Sequence, residues 1–385
     1  MSKTVYYLAY FNDPAITSEE RYVSRAATTK VEYIASCLNS IDFKVAIVSP
    51  AEASGKSGFP VRFVELSQGV SLQLFSSLGR ASVLGKAFNK LYIGKQLKEF
   101  LKSIGKNDVL VCYHMVDYID ILVKQKKEKQ FKLILEVEEV YSDVNNSAAL
   151  REREQQVFDA ADAFIFSAEL LSRRIDTRGR PYCVCSGIYS ANPKLADKRK
   201  DGRIHVVYAG TLDSRKGGAM AAIAAGTLLD KNYAMHILGN GNGQQVADIK
   251  NAVTEANKIS AGCTISYDGF KSGQEFNEFI QSCHIGLSPQ DPDAAFNQTS
   301  FPSKVFMYLS NGLQVVSVDL PVFTDEMRKQ LTLCSSNAES ELANAIRQTD
   351  TDMSESQSAI GFLERENGTF CSEVSKLIRS VATSE

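Results

Sequence analysis

Two doubly wound, Rossmann-like α/β domains facing each other across a cleft are what this sequence predicts, and three observations lead there. The chain has 385 residues, too many for one ordinary core and enough for two. Apolar runs of strand length alternate with helical patterns along nearly all of it, which is how parallel sheets covered by helices are written. The alternation breaks at "SANPKLADKRKDGR", 190–203, a polar stretch rich in Lys and Arg that reads as a linker.

The first domain is placed at 1–190. Its strands are expected at 4–10, 44–49, 61–66, 108–113, 132–138 and 163–167. The helix between the first two sets apolar residues at 31, 34, 35 and 38, completing a βαβ unit. After a linker at 191–203, the second domain, 204–360, starts the count again with strands at 204–210, 233–239, 263–269, 284–289 and 313–318. The stretch 361–385 is helical with no strand after it, and is expected to cross back onto the first domain.

Composition sets the class. With 44% hydrophobic and 23% charged residues the chain is globular, not disordered. No apolar run approaches the roughly 20 residues of a membrane span. "MSKTVYYLAY" enters a strand at once, so no signal peptide is read and a cytoplasmic protein is expected. The net charge of −2 conceals +6 over residues 1–200 and −8 over 201–385, so the halves are expected to meet different partners. No nucleic acid is expected among them. Of the eight Cys, only Cys183 and Cys185 lie close in sequence, and buried or reduced thiols are expected. His114, His205, His236 and His284 are dispersed, and no metal site follows from them.

In open parallel sheets ligands bind beyond the carboxyl ends of the strands, where helix N-termini offer free N–H groups. Three such places carry candidate chemistry. In "YAGTLDSRKGG" a strand ends at Gly210 and a polar loop brings Arg215 and Lys216 to two glycines; the backbone is open to a ligand and Lys216 suits a phosphate, although a solvated turn explains the loop equally well. "HILGNGNGQQ" misses the Gly-x-Gly-x-x-Gly spacing, and no Gly follows the first strand, which argues against a dinucleotide-binding dehydrogenase. In "SFPSKVFMYLSNGLQVVS", Pro302 suits a first helical turn and Thr299 or Ser300 suits its cap. Lys304 in that turn opposes the helix dipole unless an anion is bound, so Ser303 and Lys304 read as an anion site.

These segments, "AGTLDSRKG", "ILGNGNG", "DGFKSGQEFNEFIQSCHIGLSP" and "FPSKVFMYLSNGLQVVS", in this order, resemble the donor half of GT-B glycosyltransferases similar to family 4, the bacterial surface-polysaccharide type. The match covers 204–325; the first half matches by architecture alone. The resemblance implies that Lys216 holds the donor diphosphate, that Gly269 and Phe270 approach the nucleotide base, and that Asn240 lies near the donor sugar. Ser303 and Lys304 then begin the helix that points at the distal phosphate. Two departures stand out. Thr211 follows Gly210 where the family usually has Arg, leaving Arg215 to supply that cation. Thr299 and Met307 stand where the family usually has two Glu, and a thioether does not replace the carboxylate that receives the ribose hydroxyls.

In the first half, the resemblance puts His114 near the reacting sugar, although a lone His at a strand end is ordinarily structural. Glu136 and Glu138 alternate onto one face of a strand, and Glu138 or Glu139 at its end suits an acceptor hydroxyl or, in an inverting enzyme, a general base. A solvated acidic strand end explains them equally. The segment 75–106 holds seven Lys or Arg against one Glu, with Leu84, Phe88, Leu91, Leu97, Leu101 and Ile104 at helical spacing. It reads as a basic amphipathic pair of helices, suited to an anionic membrane face or to an ordinary surface.

The resemblance thus implies a metal-independent, retaining hexosyltransferase. It would use a nucleotide diphosphate sugar as co-substrate, UDP-sugar favoured, with no further cofactor. The acceptor would be a growing glycan, polyprenyl-linked if the enzyme rests peripherally on the inner face of the membrane. Two alternatives stay open: a catalytically silent GT-B partner subunit, with Thr211 and Met307 marking lost donor binding, and a nucleotide-sugar epimerase.

Overall fold

Val-, Ile- and Leu-rich runs spaced by amphipathic helices build two separate sheets. The computed structural model describes residues 4–79, 83–145, 147–212, 217–293, 300–351 and 354–383. The chain divides into one unit made of Met1–Ser186 with Gly368–Glu385, and a second made of Gly187–Asn367.

The first unit runs β1 (Thr4–Leu8), α1 (Arg25–Ser40), β2 (Lys44–Ser49), β3 (Arg62–Ser67), β4 (Val70–Leu74), α2 (Val83–Ser103), β5 (Val109–Tyr113), α3 (Ile119–Lys129), β6 (Lys132–Val137), α4 (Tyr141–Asn145), α5 (Ala148–Ala160), β7 (Ala163–Phe166), α6 (Leu170–Arg174) and β8 (Tyr182–Val184). The sheet order is β3-β4-β2-β1-β5-β6-β7-β8, parallel except for the β3–β4 hairpin at its edge. Strand alternation sends Leu110, Cys112, Leu133, Leu135, Val137, Phe164 and Phe166 into a core shared with α2, α3 and α5. Tyr7, Ile134 and Glu136 fall on the other face by the same period of two, the face from which α1 delivers Lys30 to Glu138.

The second unit runs β9 (Ile204–Ala209), α7 (Gly218–Thr227), β10 (Tyr233–Leu238), α8 (Gly243–Ile259), β11 (Thr264–Gly269), α9 (Gly273–Gln281), β12 (Ile285–Ser288), α10 (Lys304–Ser310), β13 (Gln314–Val318), α11 (Asp325–Arg328), β14 (Thr332–Cys334), α12 (Glu339–Gln348) and the first part of α13 (Ser354–Thr383). Its sheet, β11-β10-β9-β12-β13-β14, is parallel throughout. The order reverses direction between β9 and β12, the topological switch point where doubly wound sheets take ligands.

Four sequence expectations change. The strand read at 61–66 is the antiparallel partner of β4, which a two-residue turn through Gln68 and Gly69 hides in the sequence. The expected pair of basic helices is one helix, α2: Ile93, Leu97, Leu101 and Ile104 are buried, whereas Phe88 and Leu91 are 63% and 72% exposed. The 191–203 segment is a strap of the second unit. Asn192 N–H donates to Ser310 O (2.8 Å), Leu195 N–H to Gln281 Oε1 (2.7 Å), Lys198 Nζ to Cys283 O (2.6 Å) and Arg199 N–H to Ser282 O (3.0 Å). Finally, Cys37 and Cys371 form a disulfide across 334 residues, a separation at which no sequence spacing signals a pair. The other six cysteines are buried and form no disulfide.

Candidate functional site

In the second unit the carboxyl ends of β9, β10 and β11 meet through glycines. The Gly210 N–H donates to Leu238 O and the Gly239 N–H to Gly269 O, both at 3.0 Å. A Cβ on Gly239 would lie 1.9 Å from Gly210 O, so only glycine lets these two strand ends touch. A Cβ on Gly210 would lie 2.5 Å from the Lys304 Cε and 3.1 Å from its Nζ. The lysine from the start of α10 therefore lies directly over the bare end of β9.

Two tyrosines that sequence reasoning missed hold this arrangement. Tyr208 shares a face with Gly210 by the strand period, and the Lys304 Nζ sits 5.5 Å from its ring centroid, a cation–π contact. Its hydroxyl donates to Thr211 O (3.3 Å). Tyr308, buried on α10, accepts the Ala209 N–H at 2.8 Å and donates to Leu287 O at 3.4 Å. Those bonds tie the helix to the ends of both β9 and β12, fixing where Lys304 starts.

The other predicted donor residues fall as follows. Asn240 is exposed, its carbonyl accepting the Leu212 N–H (3.0 Å). Gly269 has φ +80° and Phe270 beside it is 51% exposed. Ser300 is half-buried and Ser303 exposed. Ser303 occupies the N-cap position with helical φ and ψ and makes no side-chain cap bond. Because α10 spans only seven residues, local positive charge there comes chiefly from Lys304 and little from a dipole. Met307 is half-buried one turn beyond Lys304. Arg215, Lys216 and Thr299 lie outside the described residues.

The Gly-rich turn 239–243 is in large part a helix start. Asn242 accepts the Gln245 N–H (2.9 Å) while Gln245 Oε1 accepts the Asn242 N–H (2.8 Å), a capping box for α8. Elsewhere in the unit, three of the four histidines come together. His205 Nδ1 lies 2.9 Å from His236 Nε2, His284 Nδ1 accepts the His205 N–H (3.0 Å), and Arg199 reaches both His205 and His236. This cluster fastens the strap, and among the described residues no group of side chains forms a metal site.

In the first unit the polar chemistry is buried. Glu136 is fully enclosed, and its Oε2 accepts the Tyr7 hydroxyl at 2.5 Å. Burial first, and then the charge of Glu138, raises its carboxyl to about 7. Burial, the largest single influence, pulls the Lys30 ammonium down, but Glu138, Cys185 and Glu136 together outweigh it and the net shift is upward. Glu138 receives Lys30 Nζ directly, and its side chain is 28% exposed. The network Tyr7–Glu136–Glu138–Lys30 thus runs from the core to the surface at the end of β6.

His114, which the resemblance puts near the reacting sugar, is turned inward. Its side chain is 1% exposed, packed against Tyr141 and Phe158 at 5.2 and 5.3 Å between centroids. Burial lowers it to about 4, so it is neutral at physiological pH. Glu154, 3.4 Å away, is occupied by the Tyr141 and Ser142 N–H groups, each at 2.8 Å. A strand-end histidine looks alike from sequence whether it turns inward or outward.

No family model matches the sequence, and no curated protein matches it either. Solved structures do. One from E. coli, described as trehalose-6-phosphate bound with UDP-2-fluoro glucose, superposes with a TM-score of 0.70 at 11% identity over 100% of both chains. The fold is GT-B. A sucrose-phosphate synthase from Thermosynechococcus elongatus gives 0.66 at 14% identity, covering 99% of this chain and 96% of its own. A trehalose-6-phosphate synthase described in terms of glycosyltransfer with retention gives 0.68 at 12% identity over 100% of both. GT-B architecture is thereby established for both sheets, and the similarity to family 4 in particular is not.

Proposed function

We propose that this chain is a glycosyltransferase that moves a hexose from a nucleotide diphosphate sugar, UDP-sugar first among them, to a hydroxyl of a glycan. The observation that carries the reading is Lys304 lying over the glycine end of β9 at the sheet's switch point. An ammonium there, beside open backbone, suits the charge that builds on a departing diphosphate, and it supplies that charge without a metal. Arg215 and Lys216 are proposed to add to it. Phe270 offers an exposed ring to the base, and Asn240 an exposed amide to the sugar. Retention of anomeric configuration is proposed by likeness to the neighbour described in those terms.

From the first unit, Glu138 is proposed to receive the acceptor hydroxyl, since it reaches the surface where His114 does not. The test is calorimetric titration with UDP, GDP and dTDP. Wild type is expected to bind UDP saturably, and Lys304→Met to bind it at least tenfold more weakly, about 1.4 kcal/mol. If wild type binds none of the three, the silent-partner reading suggested by Met307 replaces this one.

A membrane-borne, polyprenyl-linked acceptor is proposed on α2. Phe88, Leu91, Lys95, Lys98 and Lys102 recur three and four residues apart, so one stripe, exposed except at half-buried Lys98, passes from apolar to basic. Such a stripe suits an anionic bilayer surface. Among the described residues no helix is long and apolar enough to cross a membrane. Co-sedimentation with phosphatidylglycerol vesicles is expected, and to be lost in Phe88→Ser with Leu91→Ser. A protein that ignores the vesicles points instead to a free sugar-phosphate acceptor, the class named for the neighbours' products.

A further inference from the structure

The single disulfide and the charged network meet on one helix. Lys30, Tyr33 and Cys37 stand three and four residues apart on α1 and share a stripe. Lys30 holds Glu138. Tyr33 stacks on Phe370 of α13, centroids 5.8 Å apart, and Cys37 is bonded to Cys371 of α13 with Cα atoms 5.7 Å apart. Both sulfurs belong to the first unit, although α13 begins in the second.

We propose that Cys37–Cys371 is an exchangeable thiol–disulfide site that fastens the last part of α13 to α1 and so fixes the Lys30 stripe against Glu138. The proposal goes beyond the glycosyltransferase reading and does not depend on it. Three observations support exchange over a static cross-link. The other six cysteines are buried and form no disulfide, so the chain carries no disulfide framework of the kind that small secreted folds rely on. The two sulfurs differ in access: Cys37 is 4% exposed and Cys371 is half-buried, which leaves Cys371 open to an incoming thiolate with Cys37 as leaving group. And the fold does not hang on the bond, because Phe370, Val374, Leu377, Ile378 and Val381 are all buried on their own account. Opening it removes a constraint on a very long loop while leaving the packing.

The chemistry balances with glutathione as the couple. One protein thiolate attacks glutathione disulfide and releases one glutathione. The second protein thiolate then displaces the remaining glutathione from the mixed disulfide. The protein gives up two electrons and two protons, and two glutathione thiols receive them.

The experiment uses the full chain equilibrated in buffers of graded reduced-to-oxidised glutathione ratio, trapped by alkylation without denaturant and mapped by mass spectrometry. Cys371 is expected to become alkylated, and the two-hydrogen mass difference of the Cys37–Cys371 bond to appear and vanish with it across the series, while the six buried thiols stay unmodified. Amide exchange over 368–383 is expected to be at least tenfold faster in the reduced form, and thermal unfolding about 5–10 °C lower. Cys371→Ser is expected to show the fast exchange at every ratio; if that variant fails to fold, reduced wild type supplies the same reading. Two free thiols in excess glutathione disulfide overturn the proposal. So does a bond that survives excess reduced glutathione until denaturant is added, and so does exchange over 368–383 that is the same in both forms.

Discussion

The two sheets end in opposite ways. At the ends of β9, β10 and β11 the second unit removes side chains at Gly210, Gly239 and Gly269: Gly239 lies against the backbone of Gly210, and Lys304 is laid over Gly210. At the end of β6 the first unit instead encloses titratable groups, with Tyr7 bonded to Glu136 and Lys30 to Glu138. An open glycine end costs the fold little and sets the Lys304 ammonium beside bare backbone. A buried carboxyl costs several kcal/mol unless it is paired or protonated, and Glu136 meets both conditions, bonded by Tyr7 and raised to about 7. One unit is built to receive charge, the other to hold it in place.

The sharpest way to break that contrast is to remove the enclosed charge. In the unfolded chain the Glu136 carboxyl titrates near its ordinary 4.5, and in the fold near 7. The stability gained by keeping it protonated is full below 4.5 and is lost as pH rises through 7. His114 works in the other sense, its stability full above 6.5 and lost as pH falls through about 4. Between 4.5 and 6.5 the two oppose each other, so the wild-type profile hides both. Against Glu136→Gln, wild type is expected to lose on the order of 2 kcal/mol between about pH 5 and about pH 8. Urea unfolding of both proteins across that range measures it. Parallel profiles would mean that Glu136 is ionised at neither or both ends of the range, and the account of the first unit fails.

How much of this was legible beforehand follows from the range of each interaction. The strand and helix periods announce most of both sheets, because burial on a face is a local pattern. The period of two also places Glu136 with Glu138. The lysine at 304 is visible because it sits against helix polarity. Its partner surface is not, since Gly210 and Lys304 meet through folding across 94 positions. Lys30 lies far from Glu138 in sequence, and Cys37 farther still from Cys371, so neither pairing leaves a spacing to read. The β4 strand and the inward turn of His114 were missed for a different reason. Each depends on which side of a short segment the rest of the unit happens to cover.

A smaller effect sharpens the picture of the glycine end. "GNGNG" holds two asparagines with separate duties: Asn242 closes the α8 capping box with Gln245, while the Asn240 side chain takes no part in that box. Asn242→Ala removes an acceptor from the Gln245 N–H and leaves the Gln245 side chain bonded to backbone alone, at an expected cost of about 1 kcal/mol. UDP affinity is expected to stay unchanged, because a cap on α8 stabilises the unit without touching a diphosphate seated at Lys304. Chemical denaturation and calorimetry on the same variant separate the two. Should Asn242→Ala weaken UDP binding and leave stability intact, the turn is a ligand loop after all, and the open glycine surface extends from β9 across the whole 239–243 turn.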